Sequence, residues 1–421
     1  MLDIRAIRRE FPIFDEKING HSLNYLDTAA TAQKPRTVIE AIVDYYQRGC
    51  GTINRALYPL SLSATKKVDE VRKKVQHFIG ACDEREIIFT KSTTESINLL
   101  AISWGKRFVK QGDEIIISEM EHHANILPWQ VLCRERGAVL RVIPLNSRGE
   151  LDIAAYDALL SPKTKMVSVT HVSNVTGVEN PVSDLAERAH RCGALIMVDG
   201  AQAVPHLPVI DVQRLGVDFY AFSGHKMYGP TGVGVLYGKR SLLEEIPPFL
   251  LGGDMVDRVS FDRSTFQPAP SKFEAGTPHL AGIWGLGAAI DYLSSADRRA
   301  LAMREKVLLA RALGRLEKIP GLSLFVSPAR KIGVASFCIK GVHASDLGTM
   351  LGCKGIAVRT GNLCAQPFLH RLSISSLVRF SFGLYTTKEE VDGFISSLLE
   401  IIPCLKREEK ATTFTGSPNI L

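Results

Sequence analysis

The sequence predicts an α/β protein in which a mostly parallel sheet is covered by helices on both faces. Strand-like and helix-like segments alternate through the first two thirds of the chain, and the strand-like segments are apolar on both faces. Hydrophobic residues make up 45% of the 421 residues, which is enough for a large core. A chain of this length is expected to form two domains.

Short apolar segments have the length and composition of strands. They are residues 86–90 (EIIFT), 114–118 (EIIIS), 165–173, 194–198, 219–222 and 233–237. Val68, Val71, Val75 and Phe78 recur at helical spacing, which predicts an amphipathic helix before the first of these strands. Residues 94–108 and 184–192 are predicted helices between strands.

Charge and composition exclude several classes of protein. The net charge of +7 is modest and scattered, and the densest run, residues 406–410, mixes both signs, so nucleic-acid binding is not expected. No segment is apolar for long enough to cross a membrane, and residues 1–5 do not lead into a signal peptide. The eight cysteines lack C-x-x-C pairing, which favours free thiols, no metal site and a cytoplasmic location.

The most informative segment is residues 223–230, which contains Lys226 directly after an apolar strand. A lysine at the carboxyl end of a strand lies where open α/β sheets bind ligands. Its amine can form an imine with an aldehyde when burial or a neighbouring cation lowers its pKa. A lysine alone would more often be a surface charge, but this one has neighbours that suit a cofactor.

Asp199 follows the preceding strand and is suited to pair with a protonated pyridine nitrogen, although an isolated Asp-Gly is more often a turn or a helix cap. Residues 92–95 (STTE) can begin a helix and bind a phosphate there, and an ordinary capping box explains them equally well. Ser223 and His225 could add phosphate contacts. The pair His122 and His123 could bind a metal, but a ring stacked on a flat cofactor is preferred because no third ligand is in register.

Six motifs of the chain resemble those of a known family. SGHKMYGPTG, VDGAQAV, STTESIN, EMEHHANILPWQ, THVSNVTG and FEAGTP are similar to motifs of the class V aminotransferase family, which are fold type I enzymes of pyridoxal 5'-phosphate (PLP), and within it to the SufS-type cysteine desulfurases. The resemblance runs from about Phe11 to Leu399. It implies a large domain over residues 16–290 with a mostly parallel seven-stranded sheet, and a small α/β domain from residues 1–15 and 291–406. The polar composition at the end of the chain predicts a disordered tail over residues 407–421.

The resemblance also implies roles for individual residues. Lys226 would be the Schiff-base lysine, Asp199 the partner of the ring nitrogen, and Gln202 a donor to the ring oxygen. The remaining implied contacts are His123 stacked on the ring and active in proton transfer, Thr93, Thr94, Ser223 and His225 around the phosphate, Asn174 near ring and substrate, and Thr277 reaching the phosphate of the other subunit of a homodimer.

Cys364 lies in a segment rich in Gly, Asn and Pro, which reads as a loop, and Arg359 is near it in sequence. A neighbouring cation would raise the thiolate fraction of such a cysteine. The resemblance makes Cys364 the nucleophile that accepts sulfur and makes Arg379 the clamp of the substrate's carboxylate, with Arg359 and Asn174 also near the substrate.

The implied function is conversion of L-cysteine to L-alanine with a persulfide on Cys364, which supplies iron–sulfur cluster assembly through a SufE- or SufU-type acceptor and a scaffold. Selenocysteine lyase activity, another PLP reaction such as transamination, and a weakly active scaffold are the alternatives. Two departures bear on them: Asn362-Leu363 replaces the family's His-His, and residues 54–58 (NRALY) replace His-Arg-Gly-x-His while keeping Arg55.

Overall fold

A computed structural model describes the backbone of residues 3–54, 56–325 and 330–413, and the side chains of these residues as far as 406. The strands are β1 (Lys17–Ile18), β2 (His21–Ser22), β3 (Asn24–Tyr25), β4 (Ile87–Thr90), β5 (Glu114–Ser118), β6 (Val139–Ile143), β7 (Thr164–Thr170), β8 (Leu195–Asp199), β9 (Phe219–Ser223), β10 (Gly234–Gly238), β11 (Val256–Val259), β12 (Ser264–Phe266), β13 (Leu322–Phe325), β14 (Val334–Ile339), β15 (Ile356–Ala357), β16 (Arg359–Gly361) and β17 (Leu377–Ser381).

Helices flank many of these strands along the chain. They are α1 (Ile4–Arg9), α2 (Arg36–Asp44), α3 (Pro59–Phe78), α4 (Thr93–Leu99), α5 (Lys106–Phe108), α6 (Leu127–Arg136), α7 (Ile153–Leu159), α8 (Val182–Arg191), α9 (Ala203–His206), α10 (Val212–Leu215), α11 (Arg240–Glu245), α12 (Leu280–Ser295), α13 (Arg298–Leu316), α14 (Ala344–Cys353), α15 (Gln366–Arg371) and α16 (Lys388–Thr413). A π-helical segment, Leu100–Gly105, joins α4 to α5. Among the described residues, every helix is too short or too polar to cross a bilayer.

The chain forms two compact units. The first comprises Met1–Gln33, Asn174–Val178 and Arg299–Leu421, and the second comprises Lys34–Ser173 and Glu179–Arg298.

The second unit is built on a seven-stranded sheet with the order β4-β10-β9-β8-β7-β5-β6. Strands β6, β5, β7, β8 and β9 are parallel to one another, and β10 is antiparallel to both β9 and β4. Residues of β5 and β9 are buried on both faces, as expected for strands covered by helices. The predicted α/β class and the mostly parallel seven-stranded sheet are confirmed.

The first unit contains a four-stranded antiparallel sheet with the order β13-β14-β17-β16. Its core is formed by side chains of this sheet and of α13, α14 and α16, including Phe337, Phe380 and Phe394. A separate short parallel pair joins β3 to β15. The first unit therefore contains both helices and strands, as predicted for the small α/β domain.

The domain bounds predicted from the sequence stay a prediction, and the two compact units divide the chain at other positions. Residues 16–33 belong with the first unit because β3 pairs with β15 and the amide of Ser381 donates to the carbonyl of Leu26 (2.8 Å). Residues 291–298 belong with the second unit, where the Arg298 guanidinium donates to the carbonyl of Val204 (2.7 Å). Helix α16 extends to Thr413 because Arg, Glu and Lys, which are good helix formers, follow residue 406. The rest of the predicted tail, residues 414–421, lies outside the described residues.

Candidate active site

Lys226 ends a single 3-10 turn, Gly224–Lys226, that follows β9 directly. The amides of Met227 and Gly229 both donate to the carbonyl of Gly224 (3.0 Å each), which closes the turn at the end of the strand. The side chain of Lys226 is half-buried. This position, at the carboxyl end of a strand inside the sheet, is the one predicted for a ligand-binding lysine.

Asp199 is the last residue of β8, which runs parallel to β9. Its side chain is only 5% exposed, and its Oδ1 accepts from the amide of Ala201 (2.9 Å). Burial raises the pKa of Asp199, while the positive charge of Lys226 and the Ala201 amide act to lower it. The structure therefore places Asp199 and Lys226 in electrostatic contact. A protonated ring nitrogen would add a second positive charge, which favours the ionised form of this buried carboxyl.

The main chain of Asp199 is held by a backbone hydrogen bond from His171, whose ring contacts the buried Tyr220. The amide of His171 donates to the carbonyl of Asp199 (2.9 Å), and Nδ1 of His171 shares a hydrogen bond with the hydroxyl of Tyr220 (2.9 Å). Burial lowers the pKa of His171 to about 4, so the ring is neutral at pH 7. A side chain on Gly200 would place its Cβ 2.1 Å from the Tyr220 ring, so the strand end requires glycine there.

The helix α4 begins beside the Lys226 turn. Ser92 caps it by accepting from the amide of Glu95 (3.4 Å), as the sequence predicted. Ser223, at the end of β9, accepts from the Thr93 amide (2.9 Å) and shares a hydrogen bond with the Thr93 hydroxyl (2.8 Å). Gly234 makes this approach possible, because a Cβ there would lie 2.6 Å from Cα of Ser92. Two buried hydroxyls and a helix N-terminus thus meet at one point, which suits a phosphate.

The two histidines predicted for the site are both half-buried, and burial lowers both pKa values. The pKa of His225 falls to about 4, with the positive charges of Lys226 and Lys34 adding to the effect of burial. His123 begins the 3-10 turn His123–Asn125 and lines a cavity of about 500 Å³ together with the exposed Thr94. Burial therefore favours the neutral form of both imidazoles.

Glu121 was missed as a functional candidate, although it precedes the two histidines. It is fully buried and accepts from Ser118 Oγ, from Asn125 Nδ2 (2.7 Å) and from the amide of Thr170 (2.9 Å). Burial raises the pKa of Glu121 to about 8, and the negative charge of Asp199 adds to this shift. The carboxyl thus ties the loop that carries His123 to the ends of β5 and β7. Only its position between a strand and the histidines could have signalled this role in the sequence.

In the first unit, Arg379 lies on β17 and is only 4% exposed. Its Nη1 donates to the carbonyl of Asn174 (3.0 Å), and its Nη2 donates to Asp27 Oδ1 (3.2 Å). Burial lowers the pKa of Arg379, the carboxylate of Asp27 acts to raise it, and the positive charge of Arg359 adds to the lowering. Arg379 is therefore a buried cation rather than a strand arginine with its head in solvent. Asp27 is a second residue that the sequence reasoning missed.

Cys364 is exposed and lies in a loop, as the sequence predicted. Leu363 and Cys364 both have left-handed backbone angles (φ 54° and 53°), which are uncommon for residues with side chains. The amide of Cys364 donates to Oδ1 of Asn362 (3.0 Å), and the buried Leu363 accepts at its carbonyl from Asn174 Nδ2 (2.8 Å). These contacts fix the loop at the residue before the thiol and at the amide of Cys364 itself. Arg359 forms an ion pair with Asp27 (2.8 Å), so its charge is shared with that carboxylate.

Three further residues were predicted for the site. Asn174 belongs to the first unit, with Arg379 and Leu363. Gln202 is buried directly after the Asp199 turn in the second unit. Thr277 is exposed and lines a second cavity of about 270 Å³, together with Glu274 and His279. Arg55 lies outside the described residues. In the described part of the chain, no group of three or more His, Cys, Asp or Glu side chains could hold a metal ion.

The comparison with protein families matches residues 24–394 to the class-V aminotransferase model. The chain belongs to the class-V aminotransferase family. This member is 48% identical over 399 residues to a protein named cysteine desulfurase from Escherichia coli strain SE11, which covers 94% of this chain and 98% of the relative.

Two solved structures are similar over nearly the full length of this class-V aminotransferase family member. The crystal structure of the cysteine desulfurase CsdA from Escherichia coli, in an S-sulfonic acid form, superposes with a TM-score of 0.89 at 39% identity and covers 96% of this chain and 99% of that one. The apo structure of a cysteine desulfurase from Thermococcus onnurineus NA1 has a TM-score of 0.90 at 36% identity, with the same shares covered.

Proposed function

We propose that this protein is a PLP-dependent cysteine desulfurase that converts L-cysteine to L-alanine and leaves a persulfide on Cys364. The observation that carries the proposal is the electrostatic contact between the half-buried Lys226 and the buried Asp199 at the ends of adjacent parallel strands. The family and the 48% identity to a protein named cysteine desulfurase support the choice of reaction.

The residues of the second unit fit the cofactor. Lys226 would hold its aldehyde carbon, Asp199 its ring nitrogen, and the hydroxyls of Ser223 and Thr93 with the N-terminus of α4 its phosphate. When bound, PLP supplies an electron sink for bonds at the substrate's α-carbon. Burial lowers the pKa of His123 and so favours its neutral form, which would accept a proton from the substrate.

The residues of the first unit fit the substrate and its sulfur. Arg379 would bind the carboxylate of cysteine, and its burial strengthens that ion pair because little water competes. The thiolate of Cys364 would attack the sulfur of the substrate. The carbon–sulfur bond breaks, a sulfur–sulfur bond forms on Cys364, and the electron pair left on carbon takes up a proton to give alanine.

The finer assignments belong to the same proposal. A SufS-type enzyme would act as a homodimer, in which the exposed Thr277 reaches the phosphate of the other subunit. The exposed Cys364 would pass its sulfur to a SufE- or SufU-type acceptor for iron–sulfur cluster assembly. A reducing compartment such as the cytoplasm suits a chain whose eight cysteines are all free.

Mass spectrometry of the protein after exposure to L-cysteine tests this proposal. A sulfur adduct is expected on Cys364, with one alanine formed per adduct in a single turnover. Cys364→Ser should abolish both products, while Cys353→Ser, which changes another exposed cysteine, should leave both unchanged. An adduct found only on Cys50 or Cys353, or a purified protein that binds no PLP, would refute the assignment.

A further inference from the structure

We propose that Asp27 is a positioning residue. It orients the guanidinium of Arg379 so that one edge of the group can bind the carboxylate of the substrate. The inference deepens the proposed function and rests on it, because it takes Arg379 as the group that binds this carboxylate. It adds a residue that stands 352 positions from Arg379 in the sequence.

The sheet register of the first unit creates the need for such a residue. Strands β16 and β17 are antiparallel, and Arg359 stands directly opposite Arg379. Like charges in directly opposite positions of neighbouring strands repel each other. Because Arg379 is buried, its charge is poorly screened by water, so the pair requires an anion close by.

Asp27 supplies that anion to both arginines at once. Its Oδ2 pairs with Nη2 of Arg359 (2.8 Å), and its Oδ1 accepts from Nη2 of Arg379 (3.2 Å). The main chain fixes this position, since Asp27 bridges to Ser381, two residues beyond Arg379 on β17. Asp27 itself is only 8% exposed. One carboxylate therefore balances one of two positive charges, and the three groups keep a net charge of +1.

The hydrogen bonds of Arg379 leave one edge of its guanidinium for a ligand. Nη1 of Arg379 is used by the carbonyl of Asn174 (3.0 Å) and Nη2 by Asp27, whereas the buried Nε has no hydrogen-bond partner among the described residues. A buried donor without a partner destabilises the protein. The Nε edge is therefore the side of the guanidinium at which an incoming carboxylate gains most, and Asp27 holds this edge in place through the adjacent Nη2.

Replacing Asp27 by Asn removes the charge and keeps the shape. Arg359 is half-exposed and can turn into solvent, but Arg379 is buried and loses the charged partner that orients it. We expect the affinity for amines that carry a carboxylate to fall, while amines without one are bound as before. A loss of general stability would not separate these two classes of ligand.

The test compares L-alanine with ethylamine, which is alanine without its carboxylate, on the PLP-loaded full chain. Dissociation constants are read from the absorbance change of the bound cofactor. The wild type should prefer alanine, and Asp27→Asn should reduce this preference by about tenfold, the factor that one charged hydrogen bond readily provides. Asp27→Glu, which keeps the charge, should recover part of the preference and serves as the second variant if Asp27→Asn folds poorly.

Asp392→Asn is the matched control, because Asp392 also bridges two arginines of the first unit, Arg311 (2.7 Å) and Arg315 (2.6 Å). It should leave the preference unchanged. If Arg379→Gln abolishes the preference and Asp27→Asn keeps it within about twofold of wild type, the role of Asp27 is refuted. If Arg379→Gln keeps the preference, the carboxylate clamp of the proposed function fails instead.

Discussion

The buried carboxyl of Glu121 allows a prediction of how stability depends on pH, tested by Glu121→Gln. The substitution removes the ionisable group but keeps its size. Asn125 Oδ1 accepts from Trp129 Nε1 (3.0 Å) and from Ser168 Oγ (2.6 Å), so its amide nitrogen must face Glu121. The new amide would place a donor against this donor in one orientation, or against the Ser118 and Thr170 donors in the other. We therefore expect the variant to be less stable than wild type at low pH.

The magnitude follows from the pKa of Glu121, which burial raises from 4.5 to about 8. Between these pH values the folded protein keeps a proton that the unfolded chain has released. The contribution of Glu121 to the free energy of unfolding is therefore largest below pH 4.5 and falls as the pH rises. At about 1.4 kcal/mol per pH unit, the fall is at most about 5 kcal/mol over the whole interval and about 3 kcal/mol by pH 7. The Gln variant cannot lose this stability.

The assay is the free energy of unfolding in urea for wild type and variant, measured from pH 5 to pH 8.5. Other groups also titrate, since burial raises the pKa of Asp199 and lowers that of His171 to about 4, but they are common to both proteins. The stability deficit of the variant should shrink by about 4 kcal/mol over this range. Glu187→Gln, on an exposed helix residue, should parallel wild type. A constant deficit for Glu121→Gln would refute the reasoning.

Two further predictions concern the backbone of the site. Gly234→Ala should lower the free energy of unfolding by about 1–3 kcal/mol, because its Cβ would lie 2.6 Å from the Ser92 backbone. The same variant should retain PLP less well in equilibrium dialysis. Gly314→Ala is the control: it has open space around it in α13 and should raise the free energy of unfolding by about 0.5–1 kcal/mol. Equal effects of the two would contradict this. Asn362→Ala should slow persulfide formation about fivefold in mass-spectrometric time courses, since the Cys364 amide loses its acceptor and the left-handed loop its support; an unchanged rate would show that the loop does not depend on Asn362.

The parts of the site that follow strands could be predicted from the sequence. Lys226 and Asp199 each come directly after a short apolar run, and the carboxyl ends of neighbouring parallel strands meet at the same edge of a sheet. Ser92 was predictable as a cap because its hydroxyl acts within one turn. These inferences need only local pattern and the rules of parallel sheets.

The rest could not be predicted because it depends on contacts between distant segments. Asp27 reaches Arg379 only after β3 has paired with β15, and the same pairing moves residues 16–33 into the first unit. The register that sets Arg359 opposite Arg379 is also a product of folding. Glu121 was visible beside the histidines, but its burial, and therefore its pKa, depends on donors from β5, β7 and the turn after it.

The opposite exposures of Cys364 and Arg379 follow from what each group has to do in the proposed reaction. A clamp for a carboxylate gains strength from burial, because the ion pair is then poorly screened, and Arg379 is almost inaccessible. A thiol that passes sulfur to another protein must be reached from outside, and Cys364 is exposed. Asn174 contacts both groups within one unit. Its main-chain carbonyl accepts from Arg379, and its side-chain Nδ2 donates to the carbonyl of Leu363, the residue before Cys364. The buried clamp therefore fixes the base of the loop, and the thiol at its tip remains accessible.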